Sequence, residues 1–133
     1  MSAPTETVVL DEEGLSAWIA QDRKFFAMLQ VFHAMGADVV VAANTVVEVS
    51  HAKVDLPRLD VVLSRVKVEP VTERAARASA ELLRTAGLYG HTYAVDATVA
   101  EAALRQPGPV VVLTSEIDGM ARLCGDRVRL IGL

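Results

Sequence analysis

Asp11, Glu48, Asp96 and Glu116 are the residues of this chain whose type and placement point to chemistry. Asp11 ends the apolar run Val8-Val9-Leu10, and Glu116 follows Val111-Val112-Leu113-Thr114-Ser115. Glu48 comes one helical turn after a third such run, Val39 to Ala43. Short β-branched runs of this kind read as buried strands of a parallel sheet. Open parallel sheets hold ligands just beyond the carboxyl ends of their strands. Three acids far apart in sequence are therefore expected on one rim. Asp96 lies in a helical stretch and shares a face with the small apolar residues Val99, Ala100 and Ala103. A carboxylate on such a face is costly unless something pairs with it. Glu101, on another face, is expected to be an ordinary solvated acid paired with Arg105 at the i, i+4 spacing.

Carboxylates gathered this closely repel one another unless one is protonated or a divalent cation binds. Oxygen-only ligands favour Mg²⁺ or Mn²⁺ over zinc. Such a site suits phosphodiester hydrolysis, in which the cation activates water, holds phosphate oxygens and stabilises the leaving oxygen. Thr114 and Ser115 are expected to support it, by hydroxyl hydrogen bonds or by capping the next helix. Glu12 and Glu13 read as acids that complement the positive end of a following helix. His33, His51 and His91 have no metal-ligand spacing, and the basic residues around His51, Lys53 and Arg58 read as a solvated face that would also suit an RNA path.

The elements that must position these acids follow from the apolar pattern. Strands are expected at 7–10, 38–43, 66–71, 110–113 and 128–131, with Pro70 marking the third as short and at an edge. Leu15, Trp18, Ile19, Phe25, Phe26, Leu29 and Phe32 recur at helical steps, predicting one long helix over 14–35 stopped by Gly36. Further helices are expected from the cap Asn44 or Thr45 to 52, over 55–66 with Pro57 in the first turn, and from Thr72 to Gly87. Two more fall over 92–106 and 115–124. Strands alternating with helices predict a three-layer α/β/α fold around a central, mostly parallel sheet.

At 133 residues and 14.2 kDa the chain is expected to be a single domain, 1–133. With 52% hydrophobic and 23% charged residues it supports a sizeable core and is not of disordered type. The net charge of −4 provides no global basic field, so a polyanionic substrate would have to be met by a bound cation or a local patch. The lone Cys124 excludes an internal disulfide and a cysteine-built zinc site. No apolar run approaches the ~18 residues that span a bilayer, so a cytoplasmic protein with no membrane association is expected.

In sequence order, Val9-Leu10-Asp11, Asn44-Thr45-Val46-Val47-Glu48, Val95-Asp96-Ala97 with Ala102-Ala103, and Thr114-Ser115-Glu116-Ile117-Asp118 span nearly the whole chain. With this quartet the chain resembles the PIN domain and, within it, the VapC-type toxin ribonucleases of bacterial toxin–antitoxin modules. The resemblance implies a Mg²⁺- or Mn²⁺-dependent endoribonuclease that acts on RNA, forms a homodimer and is silenced by a cognate antitoxin protein. It implies catalytic and cation-binding roles for Asp11, Glu48, Asp96 and Glu116, with Asp118 as a further ligand. Three positions depart from the family's pattern. Family members of this type usually carry Asp where Glu116 stands and a second acid where Gly119 stands, and a small or hydroxyl residue in place of Glu12. The alternative is a catalytically weakened PIN-like module that binds RNA or protein partners without cutting. A phosphorylated receiver domain fits less well, because the strand from Val39 ends at Asn44 rather than at an acid.

Overall fold

The computed structural model describes residues 4–133. Among these, the strands β1 (Thr7–Leu10), β2 (Asp38–Ala42), β3 (Lys67–Glu69), β4 (Val110–Thr114) and β5 (Arg129–Gly132) pair in parallel throughout, in the order β3-β2-β1-β4-β5. The helices are α1 (Glu12–Ile19), α2 (Arg23–Ala34), α3 (Ala43–Val49), α4 (Leu56–Leu63), α5 (Glu73–Ala86), α6 (Ala94–Leu104) and α7 (Ile117–Cys124). Successive strand residues point to opposite faces, so each central strand feeds two cores. Val8, Leu10, Val41, Val111 and Leu113 pack with Leu15, Phe25, Phe32, Leu59 and Val62 on one side. Val9, Val40, Val110 and Val112 pack with Val99, Ala100, Ala103, Met120 and Leu123 on the other. The three-layer α/β/α arrangement is as expected, with every strand pair parallel.

β3 is an edge strand, as Pro70 foretells, and is only three residues long. Asp55 caps α4 and Thr72 caps α5, each accepting from the backbone N–H three residues on, while Gly87 ends α5 with a left-handed φ of 68°. The expected long helix over 14–35 is instead two. Gln21 adopts φ 58°, and the Asp22 carboxylate accepts from Phe25 N at 2.8 Å to start α2 afresh. An N-cap acid offers the backbone an alternative to continued helix, and here it overrides an unbroken apolar period. Nor does Asn44 or Thr45 cap α3: the helix starts at Ala43 without a side-chain cap. The turn from β2 into α3 is tight, and burial of Thr45 and Val49 holds it in place.

Candidate functional site

Sheet order reverses at β1. The chain leaves it toward β2 and β3 on one side and returns on the other as β4 and β5. In a parallel sheet this leaves a crevice at the carboxyl ends of β1 and β4. Asp11 stands in that crevice, 4% exposed. Its Oδ1 accepts from Gly14 N at 3.1 Å, capping α1, and its Oδ2 accepts from Ser115 N at 3.0 Å, beyond the end of β4. One carboxylate thus ties together two turns separated by about a hundred residues. Thr114 Oγ1 accepts from Glu116 N at 2.9 Å and holds the turn into α7. Ser115 contributes its backbone N–H to Asp11, and Thr114 its buried hydroxyl to the turn.

Replacing Asp11 by Ala removes a helix cap and a cross-strand tether, both made by a charged acceptor. The expected loss is about 2 kcal/mol in urea unfolding, and Asp11→Asn, which retains one acceptor oxygen, should lose about half of that.

The other acids approach the same rim from three helices. Glu48 lies on α3, Asp96 in the first turn of α6, and Glu116 immediately before α7. Asp96 is half-buried, and its carboxyl is pushed up to about 6, first by burial and then by the charges of Asp11, Glu116 and Glu12. Partial desolvation, followed by Asp96, Glu12 and Asp11, raises the carboxyl of Glu48 as well. Asp96 thus feels Asp11 and Glu116, and Glu48 feels Asp96 and Asp11, so Asp96 is the acid that links the others. Glu12, which local reasoning assigns to the helix end, joins them. Its carboxylate also accepts from Ser16 Oγ at 3.1 Å. The only sequence signal for Glu12 is its place directly after a strand-end acid. Asp118 lies exposed on the first turn of α7 and is absent from the charges that raise Asp96 and Glu48.

The donors are all carboxylate oxygens, which fits a hard divalent cation, and their mutual repulsion is what such a cation relieves. Among the described residues, no three His, Cys, Asp or Glu side chains stand as a ready set of ligands for one ion. Binding would thus require the acids to close inward. His51, Lys53 and Arg58 line one groove of about 290 Å³ beside α1, and Arg58 is paired there with Asp55 at 3.5 Å.

Glu101 departs from expectation. It pairs with Arg105 as its spacing predicts, but its side chain is only 12% exposed, drawn against Glu69 on β3 through the same guanidinium.

Compared with protein-family models and with curated protein sequences, the chain matches none. It does match solved structures. A chain of VapBC2 from Rickettsia felis, bound to a DNA fragment from their promoter, gives a TM-score of 0.71 at 17% identity, covering 96% of this chain and 98% of that one. A chain of FitAB bound to IR36 DNA fragment gives 0.66 at 18%, covering 94% of each. The fold is PIN-like. Both matches run over nearly the whole length, so the PIN-like fold here includes the edge strands and the α7–β5 end as well as the central sheet. The acid rim lies at the switch point of this PIN-like sheet, where β1 meets β4.

Proposed function

We propose that this chain is a Mg²⁺- or Mn²⁺-dependent endoribonuclease that acts as the toxin of a toxin–antitoxin module and is held in check by an antitoxin protein. The observation that carries this reading is Asp96, an acid on an otherwise apolar helix face, pushed up to about 6 by burial and by acids arriving from β1, α1 and the β4–α7 turn. Likeness of fold to VapBC2 and FitAB supports the antitoxin partner, and the homodimer belongs to the same reading. No helix among the described residues is long and apolar enough to cross a membrane, in keeping with a protein that meets RNA in the cytoplasm.

When bound, the cation would supply a Lewis acid and an activated water for attack at phosphorus with departure of the 3′ oxygen. Asp11, fixed by two backbone N–H groups, is the rigid member of the rim. Glu48, Asp96 and Glu116 come from three separate helical elements and would close on the cation from its other sides. In the metal-free chain Asp96 is mostly ionised at pH 7 and mostly protonated below about pH 6, so a cation would have to compete with a proton there. Glu116 is one methylene longer than the residue usual in VapC-type ribonucleases, so cleavage is expected to be slow.

An end-labelled RNA panel with Mn²⁺, run at equal folded concentration, tests the proposal. Wild type should cut, Glu116→Asp should cut as fast or faster, and Asp11→Asn should not cut. RNA bound but left whole by both wild type and Glu116→Asp would favour the non-cutting module instead. Cleavage persisting in Asp11→Asn would mean that the activity belongs to another protein in the preparation.

A further inference from the structure

Among the described residues, Thr45 Oγ1 is the one buried side-chain polar atom with no hydrogen-bond partner. Thr45 is wholly buried on α3. The other two buried hydroxyls on helices turn back to their own backbone. Ser79 donates to Ala75 O at 2.8 Å, and Thr98 donates to Val95 O at 2.6 Å. Thr45 stands in the first turn of α3, where the residues three and four places back are Ala42 and Val41 of β2, and it makes no such bond. A buried hydroxyl left unpaired costs about 1–3 kcal/mol, so its retention calls for a partner.

Leu10 pairs with Val41 in the sheet, so Ala42 lies beside Asp11 and α3 starts at the acid rim. The helix then packs against both α1 and α6, which carry Glu12 and Asp96. Thr45-Val46-Val47-Glu48 has the spacing of a capping box, in which hydroxyl and carboxylate each serve a backbone N–H at the helix start. That use is closed here, because the helix begins two residues earlier, at Ala43. Glu48 remains three residues after Thr45, with about 5–6 Å between Cβ atoms at that spacing. Helical side chains lean toward the N-terminus of their helix, so a Glu48 carboxylate turning inward passes over Thr45. Glu48 is itself exposed, and the charges of Asp96, Glu12 and Asp11 oppose its turning inward until a cation offsets them. We propose that Thr45 is the positioning residue for Glu48: its hydroxyl donates to the Glu48 carboxylate when that side chain turns inward to hold a divalent cation. This rests on the cation-dependent reading of the site and adds to it the residue that fixes Glu48. The bond forms only on cation binding, so the hydroxyl weakens the metal-free fold and strengthens binding.

Mn²⁺ titration followed by electron paramagnetic resonance, with no RNA present, and urea unfolding without metal provide the test. Thr45→Val keeps the shape of the side chain and removes the hydroxyl. It should weaken Mn²⁺ binding about tenfold, as loss of a hydrogen bond to a metal ligand does. Its metal-free urea midpoint should equal or exceed that of wild type, because an unpaired hydroxyl is gone. Thr45→Ser, which keeps the hydroxyl, should bind Mn²⁺ nearly as wild type does. In a Glu48→Ala background Thr45→Val should cause no further loss, since the hydroxyl acts through Glu48. Unchanged Mn²⁺ affinity in Thr45→Val would overturn the proposal. So would an equal loss in the Glu48→Ala background, or a lowered urea midpoint in Thr45→Val, because each would give the hydroxyl another partner. Should Thr45→Val fail to fold, Thr45→Ala takes its place in the comparisons of Mn²⁺ affinity. No bound Mn²⁺ in wild type would overturn the cation site itself, and the role of Thr45 with it.

Discussion

Asp96→Asn is expected to abolish metal-dependent RNA cleavage, by about a hundredfold or more, and at the same time to make the metal-free protein more stable. The two effects have one cause. Burial and neighbouring acids raise the Asp96 carboxyl to about 6, so its ionised form is disfavoured in the folded state relative to the unfolded chain. An acid whose folded pKa is raised binds its proton more tightly when folded, so stability falls as pH rises from near 4 to above 6. Asparagine carries no charge to be penalised. Its advantage should therefore be absent at pH 3.5, grow through pH 4–6 and level off above that, at about 1–2 kcal/mol after allowance for solvent screening. Mn²⁺ reverses the order, because it stabilises whichever native state binds it. Melting curves with and without Mn²⁺ at pH 7.5 should show wild type gaining and Asp96→Asn unchanged. An equal Mn²⁺ gain in both proteins would place the ion elsewhere and remove the main support for the nuclease reading.

Loss of the Arg105 side chain is expected to be the most destabilising single change outside the apolar core. Arg105 lies just past the end of α6, and its guanidinium has three partners. It donates to Glu69 on β3, to Pro70 O at 3.0 Å, and through Nε to both oxygens of Glu101 at 3.0 Å. Glu69 is only 6% exposed, and Lys67 approaches it at 3.0 Å from the solvent side. Burial alone would push the Glu69 carboxyl up, but hydrogen bonds from Lys67 and Gln106 and the charge of Arg105 outweigh it and hold the carboxyl below its usual range. Removing one partner of a buried pair leaves a desolvated charge behind, which costs several kcal/mol in a dry interior. Arg105 is itself 36% exposed and Lys67 remains, so Arg105→Met should lose about 2–3 kcal/mol. For a domain of this size that lowers the melting temperature by about 8–12 °C. An acid whose folded pKa is lowered gives stability that is present above its unfolded value and lost as pH falls through the folded one. The gap between wild type and Arg105→Met should therefore be full at pH 7 and narrow below about pH 4.5. Arg105→Lys keeps a charge but not the three-way fork, and should fall between the two. A gap that does not change down to pH 3 would show that packing of the arginine stem, rather than its ion pairs, fastens α6 to the sheet edge.

The amino-acid pattern determined the layers of this fold and where in it the four acids stand, and it did so through local rules. Runs such as Val8-Val9-Leu10 and Val111-Val112-Leu113 can be buried on both faces only in a covered parallel sheet, and the residues that follow them must emerge at its carboxyl rim. Asp11 and Glu116 are legible for that reason, and Glu48 is legible as the acid one turn beyond β2. Asp96 is legible because a carboxylate interrupts a helix face of alanine and valine. Helix ends at Asp55, Thr72 and Gly87 are equally local, set by capping chemistry within four residues. Other features depended on which elements meet in space. Glu12 becomes part of the rim only because α3 and α6 bring Glu48 and Asp96 close to the start of α1. Glu101 leaves solvent only because Arg105 reaches across to β3, and Tyr93 covers Gly119 only because the start of α6 packs on the first turn of α7. Periodicity tells a helix which face is apolar, but its charged residues find their neighbours among elements tens of residues away. Electrostatic coupling acts across those few ångströms of space, so it is decided by tertiary packing alone.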